Sequence, residues 1–396
     1  MRSLRLALVT RRFWPLPGGI ENTLTRVCHE LVRRGHQVTA YVPRTQGEWP
    51  ATTDRHGVRI RRLEPSGGRW WSEARYLRRL SAAVFGTAET RPEVVWTLGL
   101  KGDAYAMLGA AAAYGVPVVL QPERPGLSGD CHWQLEAPCG ARIKRRCYAA
   151  AGYVALTPLV ERELIAAGYP RPRIRHVPLG VPIREASTPQ ARAEARRSLA
   201  LADPALAIDE PSRLIVCVGR LRLARGLELM LEAFRRCAAR RPESYLWFVG
   251  EGPDAAYLRE RVFELGLARR VRLTGAFDDV EDVFRAADVA VFPPPEDGPA
   301  VGLLEAASFG LPIVASDVLT HRTWLSDGCE ARLYPKQDAE ALAAALEATF
   351  DDPRAAALGA AARARVAAEH SLAHMVDAYE RLFDDCRVRT APESPR

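Results

Sequence analysis

Between residues 290 and 316 the sequence reads AVFPPPEDGPAVGLLEAASFGLPIVAS, and two carboxylates, Asp297 and Glu305, stand eight positions apart in it. The apolar run 289–292 predicts a strand, and the Ala-rich segment from Val301 to Gly310 predicts a helix, so Asp297 precedes the helix and Glu305 lies a turn inside it. A helix starting there aims its free N–H groups, worth about half a positive charge, at the loop mouth, which suits a phosphate. Two acids beside an anion site repel a phosphate unless they take hydroxyls instead. A sugar at one end and a ribose at the other supply those hydroxyls. The same pattern also fits an ordinary α/β helix that carries surface acids.

Cationic residues stand in a second loop. RLIVCVGRLRLARGLELMLEAFRR reads strand, loop, helix, with Arg220 and Arg225 in the loop at the carboxyl edge of a sheet, where open α/β folds bind ligands. Two arginines there can clamp a diphosphate by charge-assisted hydrogen bonds. Gly18 and Gly19 sit at another strand-to-helix turn, between LRLALVT and a predicted helix over 20–34, and let the backbone approach a ligand closely. Gly250-Glu251-Gly252-Pro253 looks like a truncated dinucleotide fingerprint. It follows the second strand of its half and carries proline where the backbone should approach pyrophosphate, so it reads as a tight turn.

The elements that position these loops alternate strand and helix along both halves, the pattern of parallel sheets. At 396 residues the chain suits two domains, and 48% hydrophobic with 26% charged residues describes a packed globular protein. A net charge of +7 favours anionic ligands, and no nucleic-acid motif accompanies it. The eight cysteines show no paired framework, which points to a reducing compartment, and Cys131, Cys139 and Cys147 match no zinc spacing. The apolar run at the N-terminus reads as a first strand rather than a signal segment, and no stretch approaches the ~20 apolar residues of a membrane span. The segment GGRWWSEARYLRRLSAAVFG reads as an amphipathic helix whose Arg69, Arg75, Arg78 and Arg79, beside Trp70, Trp71 and Tyr76, suit either a membrane surface or the core.

Taken together, Gly18-Gly19, G-R-L-x-x-x-R-G at 219–226, G-E-G-P at 250–253 and D-G-x-x-x-x-L-L-E-A at 297–306 resemble family 4 glycosyltransferases, retaining and metal-independent enzymes of the GT-B fold. The resemblance spans about residues 5–385. It implies an α/β protein of two Rossmann-like domains, with parallel sheets facing across a cleft: an acceptor-side domain over 1–182, a linker over 183–211 and a nucleotide-sugar domain over 212–370. A closing helix over 371–386 returns to the first domain, and 387–396 forms a loose tail. The resemblance further implies that Arg220 and Arg225 neutralise the donor diphosphate, that Glu305 holds the ribose hydroxyls and that Asp297 orients the sugar. Backbone groups of Gly18, Gly19, Gly298, Pro299, Ala300, Val301 and Gly302 cradle sugar and phosphate, and Phe277 and Asp279 lie by the base.

The sequence departs from the family at two places. Members often carry histidine after the strand corresponding to PVVLQ, where this chain reads Gln121-Pro122-Glu123-Arg124, and Asp297 stands where glutamate is usual, with Glu296 beside it. The expected activity is transfer of a hexose from a nucleotide-diphosphate sugar to a glycan or lipid-linked acceptor, without metal or cofactor, in the cytoplasm and in peripheral contact with the inner membrane face. A non-catalytic sugar-nucleotide-binding subunit and a sugar-nucleotide epimerase are the alternatives.

Overall fold

The fold is given by a computed structural model that describes residues 2–16, 18–45, 48–65, 70–208, 211–277, 279–293 and 301–390. The first sheet is built from β1 Arg5–Val9, β2 Gln37–Pro43, β3 Thr52–Arg55, β4 Val58–Leu63, β5 Val94–Leu98, β6 Val118–Gln121, β7 Gly152–Ala155 and β8 Ile174–His176. Their order is β3-β4-β2-β1-β5-β6-β7-β8, and every pairing is parallel except β3 with β4. The second sheet contains β9 Arg213–Val218, β10 Ser244–Val249, β11 Val271–Gly275, β12 Val289–Phe292, β13 Ile313–Ser316 and β14 Arg332–Tyr334. It is wholly parallel, in the order β11-β10-β9-β12-β13-β14.

Parallel strands need helical crossovers, and the crossovers cover both faces. That is why β5, β6, β7, β12 and β13 are buried along their whole length and are apolar except for Thr97, Gln121 and Ser316. It also puts every strand-to-helix loop of a sheet on one edge. The strand order reverses at β1/β5 in the first sheet and at β9/β12 in the second, and such reversals open a crevice at the carboxyl edge.

The chain divides into two compact units. The first holds the residues up to Leu16, then Ile20–Leu179, then the chain from Leu372 onward; the second holds Gly18, Gly19 and Gly180–Ser371. The expected linker over 183–211 is instead part of the second unit. Within it, Pro189–Ala202 is a helix, capped by the Thr188 side chain, which accepts from the Ala191 N–H. Arg196 of that helix is buried and donates to Asp288 Oδ2 at 2.7 Å. Its partner lies 92 positions along the chain, which is why composition alone suggests a tether.

The last helix, Leu372–Thr390, runs past the expected end at 386, and residues 391–396 lie outside the described residues. It packs within the first unit, where the Tyr379 and Trp96 rings lie 4.6 Å apart. Gln121 joins them: its buried Oε1 accepts from Trp96 Nε1 at 3.0 Å and from the Tyr379 hydroxyl at 2.7 Å. The helix is tied again through Glu380, which takes His36 Nε2 at 2.8 Å and Arg34 Nη1 at 2.7 Å. The Leu4 N–H donates to His36 Nδ1, so the ring is the neutral tautomer that donates from Nε2. Gln121→Leu leaves a buried indole N–H and a buried hydroxyl without their partner. It should lower the stability of the first unit by roughly 2 kcal/mol or more, read as a lower denaturation midpoint.

Candidate functional site

The loop after β9 takes its shape from the turn after β10. Gly250 has a φ of +136°, and a Cβ built on it would lie 2.2 Å from the Gly219 carbonyl oxygen; one on Gly252 would lie 2.1 Å from that of Leu221. No side chain fits at either place, so backbone lies directly on backbone. Leu221 N–H donates to Glu251 O at 2.9 Å, and the Asp254 carboxylate takes the Leu223 N–H at 2.8 Å. The G-E-G-P segment is therefore a turn that braces the arginine loop.

On that brace Arg225 lies over Gly219. A Cβ on Gly219, whose φ is +151°, would come within 3.0 Å of Arg225 Nη1 and 3.3 Å of Cζ. Burial pushes the Cys217 thiol up to about 12, with Arg225 acting in the opposite direction, so the guanidinium projects a positive field onto the end of β9. Arg220 is exposed, and Gly226, with a φ of +74°, ends the short 3-10 turn Leu223–Arg225 and starts the helix Leu227–Arg240.

Beside this loop, at the β9/β12 reversal, begins the helix Val301–Ser308. A Cβ on Gly302 would lie 3.5 Å from both the Val218 carbonyl oxygen and the Phe292 ring, so the first turn of the helix rests on the ends of β9 and β12. Glu305 is half-buried one turn further on. Gly19 groups with this unit, where its Cβ would meet the Val301 side chain at 3.3 Å. The structure thus brings Arg220, Arg225, Val301, Gly302, Glu305 and Gly19 to one edge of the second unit. Asp297, Gly298, Pro299 and Ala300 lie outside the described residues.

Phe277 and Asp279 follow β11 at the same edge, but Asp279 has local work. Its Oδ1 accepts the Glu281 N–H at 3.0 Å, at the start of the helix Glu281–Ala286, and its Oδ2 lies 3.5 Å from Arg184 Nη2. Two residues escape sequence reasoning, Ser316 at the end of β13 and His321 in the short helix Leu319–Arg322 that follows. His321 is buried, with its Nδ1 2.8 Å from the Ser316 carbonyl oxygen and 3.2 Å from the Ser316 hydroxyl. Burial holds its imidazole below the ordinary range, with Arg225 adding to the effect.

The first unit has its own cluster at its carboxyl edge. Arg11, just past β1, donates to Asp103 through Nε at 2.5 Å and Nη2 at 2.8 Å, and to Glu73 Oε1 at 2.5 Å. Its guanidinium lies 4.5 Å from the centre of the Tyr76 ring, so Tyr76 belongs to the core while Arg75, Arg78 and Arg79 of the same helix are exposed. Buried Asp130 takes the N–H groups of Leu100 at 3.2 Å and Glu123 at 2.7 Å. Burial and Asp130 raise the Glu123 carboxyl above its ordinary value. Gln121, first of the stretch where family members often carry histidine, is a core residue.

The second unit thus places an arginine-bearing loop, a helix start and a half-buried carboxylate at its topological switch, where open α/β folds bind ligands. Residues 212–352 match the family model for glycosyl transferases group 1, and residues 18–180 match that for the glycosyl transferase 4-like domain. The chain belongs to this family of GT-B glycosyltransferases. It is 27% identical over 379 residues to the GDP-mannose-dependent alpha-(1-6)-phosphatidylinositol monomannoside mannosyltransferase of Mycolicibacterium smegmatis, covering 90% of this chain and 92% of that protein. It is 30% identical over 191 residues to the lipopolysaccharide core biosynthesis mannosyltransferase LpsB of Rhizobium meliloti, covering 46% of this chain and 54%, about half, of that relative. The crystal structure of Anabaena HepE in complex with UDP and glucose matches the fold with a TM-score of 0.72 at 16% identity, over 96% of this chain and 98% of that one. Among the described residues no helix is long and apolar enough to cross a membrane.

Two predictions test this geometry. Gly219→Ala forces a strained φ and displaces the Arg225 guanidinium, so nucleoside diphosphate binding should weaken about tenfold or more; calorimetric titration checks it, with circular dichroism showing an unchanged fold. The second concerns pH. Burial lowers His321 below its ordinary 6.5, and burial with His56 and Arg55 lowers His29 to about 4. The unfolded chain takes up these protons first, so stability is complete above about pH 6.5 and declines as the pH falls toward 4. A His29→Gln, His321→Gln double variant should show a flatter decline in its denaturation midpoint over that window.

Proposed function

We propose that the protein is a retaining hexosyltransferase that moves a sugar from a nucleotide diphosphate to a glycan or lipid-linked acceptor. The observation that carries this reading is the convergence of Arg220, Arg225 and the helix start at Val301 on one switch point, because departure of a nucleoside diphosphate builds negative charge on its leaving oxygen. In this reading the bond from the sugar carbon to the phosphate oxygen breaks toward oxygen. The acceptor hydroxyl attacks from the face being vacated, and its proton passes to the leaving phosphate. Arg220 and Arg225 neutralise that phosphate together with the N–H groups at the start of Val301–Ser308, so no metal or other cofactor is assigned.

Glu305 takes the ribose hydroxyls and Asp297 orients the sugar. Gly18, Gly19 and the backbone of 298–302 cradle sugar and phosphate, and Phe277 and Asp279 border the base. The names of the relatives favour GDP-mannose as the first donor to try and a phosphoinositide or lipopolysaccharide-type acceptor. An acceptor of that class places the protein in the cytoplasm against the inner membrane face, with the exposed Arg75, Arg78 and Arg79 as candidates for the contact.

Incubation with GDP-, UDP- and ADP-sugars, with free nucleoside diphosphate as the readout, tests the assignment; absence of binding to every donor would refute it. Arg225→Ala and Glu305→Ala should each weaken donor binding by about tenfold or more and leave the fold intact. Turnover should persist in a chelator, and its abolition by chelation would overturn the metal-free part of the reading.

A further inference from the structure

His321 keeps one ring nitrogen out of use. It stands in the short helix Leu319–Arg322, just past β13, and is 1% exposed. Its Nδ1 lies 2.8 Å from the Ser316 carbonyl oxygen, which can only accept, so the neutral ring carries its proton on Nδ1 and a lone pair on Nε2. Nε2 has no hydrogen-bond partner among the described residues. A buried polar atom left without a partner is costly and calls for an explanation.

The ring stands on the arginine loop's side of the sheet. Side chains alternate along a strand, so Ser316 faces the same way as Val314, and Cys217 the same way as Ile215. Val314, Ile215 and Cys217 pack in one apolar cluster with Leu227 and Met230 of the helix that Arg225 precedes. The Ser316 hydroxyl lies 3.2 Å from His321 Nδ1, so the imidazole lies at the carboxyl end of that face, as Arg225 does over Gly219. β12 alone separates β9 from β13, about 10 Å in the plane of the sheet, and an arginine side chain with a phosphate fills such a gap.

The charge around the ring has one sign. Among the described residues Arg225 is the ionised group that acts on the imidazole, and together with burial it keeps the ring neutral. Asp317, next to Ser316, is engaged by Arg322, and the other ionisable groups of the same face, Cys217 and Tyr334, are held neutral by burial. A lone pair facing a phosphate oxygen repels it, whereas the same nitrogen with a proton on it is a charged donor. The negative charge of a diphosphate opposes both burial and Arg225, and so favours the protonated ring.

We propose that His321 is a third cationic partner of the donor diphosphate: when a nucleoside diphosphate is held by the arginine loop, Nε2 takes up a proton from solvent and donates it in a hydrogen bond to a phosphate oxygen, while Nδ1–H keeps its bond to Ser316. The proposal rests on the reading of Arg220 and Arg225 as the diphosphate-binding pair, and adds a residue that none of the motifs carrying the family resemblance contains. Binding then draws in a proton, so affinity rises as the pH falls from about 8.5 toward 6.5.

Calorimetric titration of the full chain with GDP, UDP and ADP, repeated at about pH 7 in buffers of low and high ionisation enthalpy, counts the protons exchanged. The wild type should take up about half a proton more than His321→Asn, whose amide N–H can still reach the Ser316 carbonyl oxygen but which lacks Nε2. The variant should bind about fivefold more weakly at about pH 6.5, and within about twofold of the wild type at about pH 8.5. The rise in wild-type affinity between these two pH values is read without any variant, so the proposal stays testable if the substitution unfolds the chain. Equal proton counts, a loss of affinity in His321→Asn that is the same at both pH values, or a wild-type affinity that does not rise as the pH falls overturns the proposal and leaves the diphosphate site standing. Absence of binding by all three nucleotides overturns both.

Discussion

The candidate site depends on a contact that leaves room for no side chain: the backbone of Gly250 and Gly252 pressed against that of Gly219 and Leu221. Any residue larger than glycine at 250 or 252 would place a Cβ within 2.2 Å of a carbonyl oxygen, so one of the two loops would have to move. With both in place, the arginine loop is held by hydrogen bonds from Leu221 to Glu251 and from Leu223 to Asp254. Charge presented on a loop already fixed needs no reorganisation when a ligand's own charge develops, and that is where such a loop gains its effect over one that is merely basic.

The fold was legible in the sequence because parallel strands buried on both faces cannot hide as loops. β9, β12 and β13 are apolar runs, apart from Arg213 and Ser316 at their ends, bounded by glycine, proline or charge, and the helices between them keep a helical period. The loops at the carboxyl edge were legible for the same reason, since knowing the strands fixes where the following residues must emerge. Gly250 and Gly252 were legible as a turn, though their bracing of the arginine loop was not, because it joins two segments about thirty positions apart.

Roles set by distant partners were invisible. Gln121 looked like a departure where the family often has histidine, yet its carbonyl oxygen serves Trp96 and Tyr379, the latter 258 positions away. The stretch 183–211 looked like a tether because Arg196 shows its buried carboxylate partner only when β12 lies beside it. Asp279 illustrates the converse: an acid at a strand end is as easily a helix-start acceptor as a ligand, and no spacing separates the two. Arg11, just past β1, converges with Glu73 and Asp103 from the first turns of two helices of the first unit, each unremarked as a lone charge at a helix start or strand end.

The return of the last helix to the first unit makes the second unit an insertion. The chain leaves at Leu179 and comes back at Leu372, and at the junction Val181 pairs with Ser371 and donates to the His370 carbonyl oxygen. During translation the inserted unit therefore has all of its residues available before its host does. The host's Trp96 remains uncovered until Tyr379 has been synthesised and has emerged from the ribosome, so the half made first is the half finished last.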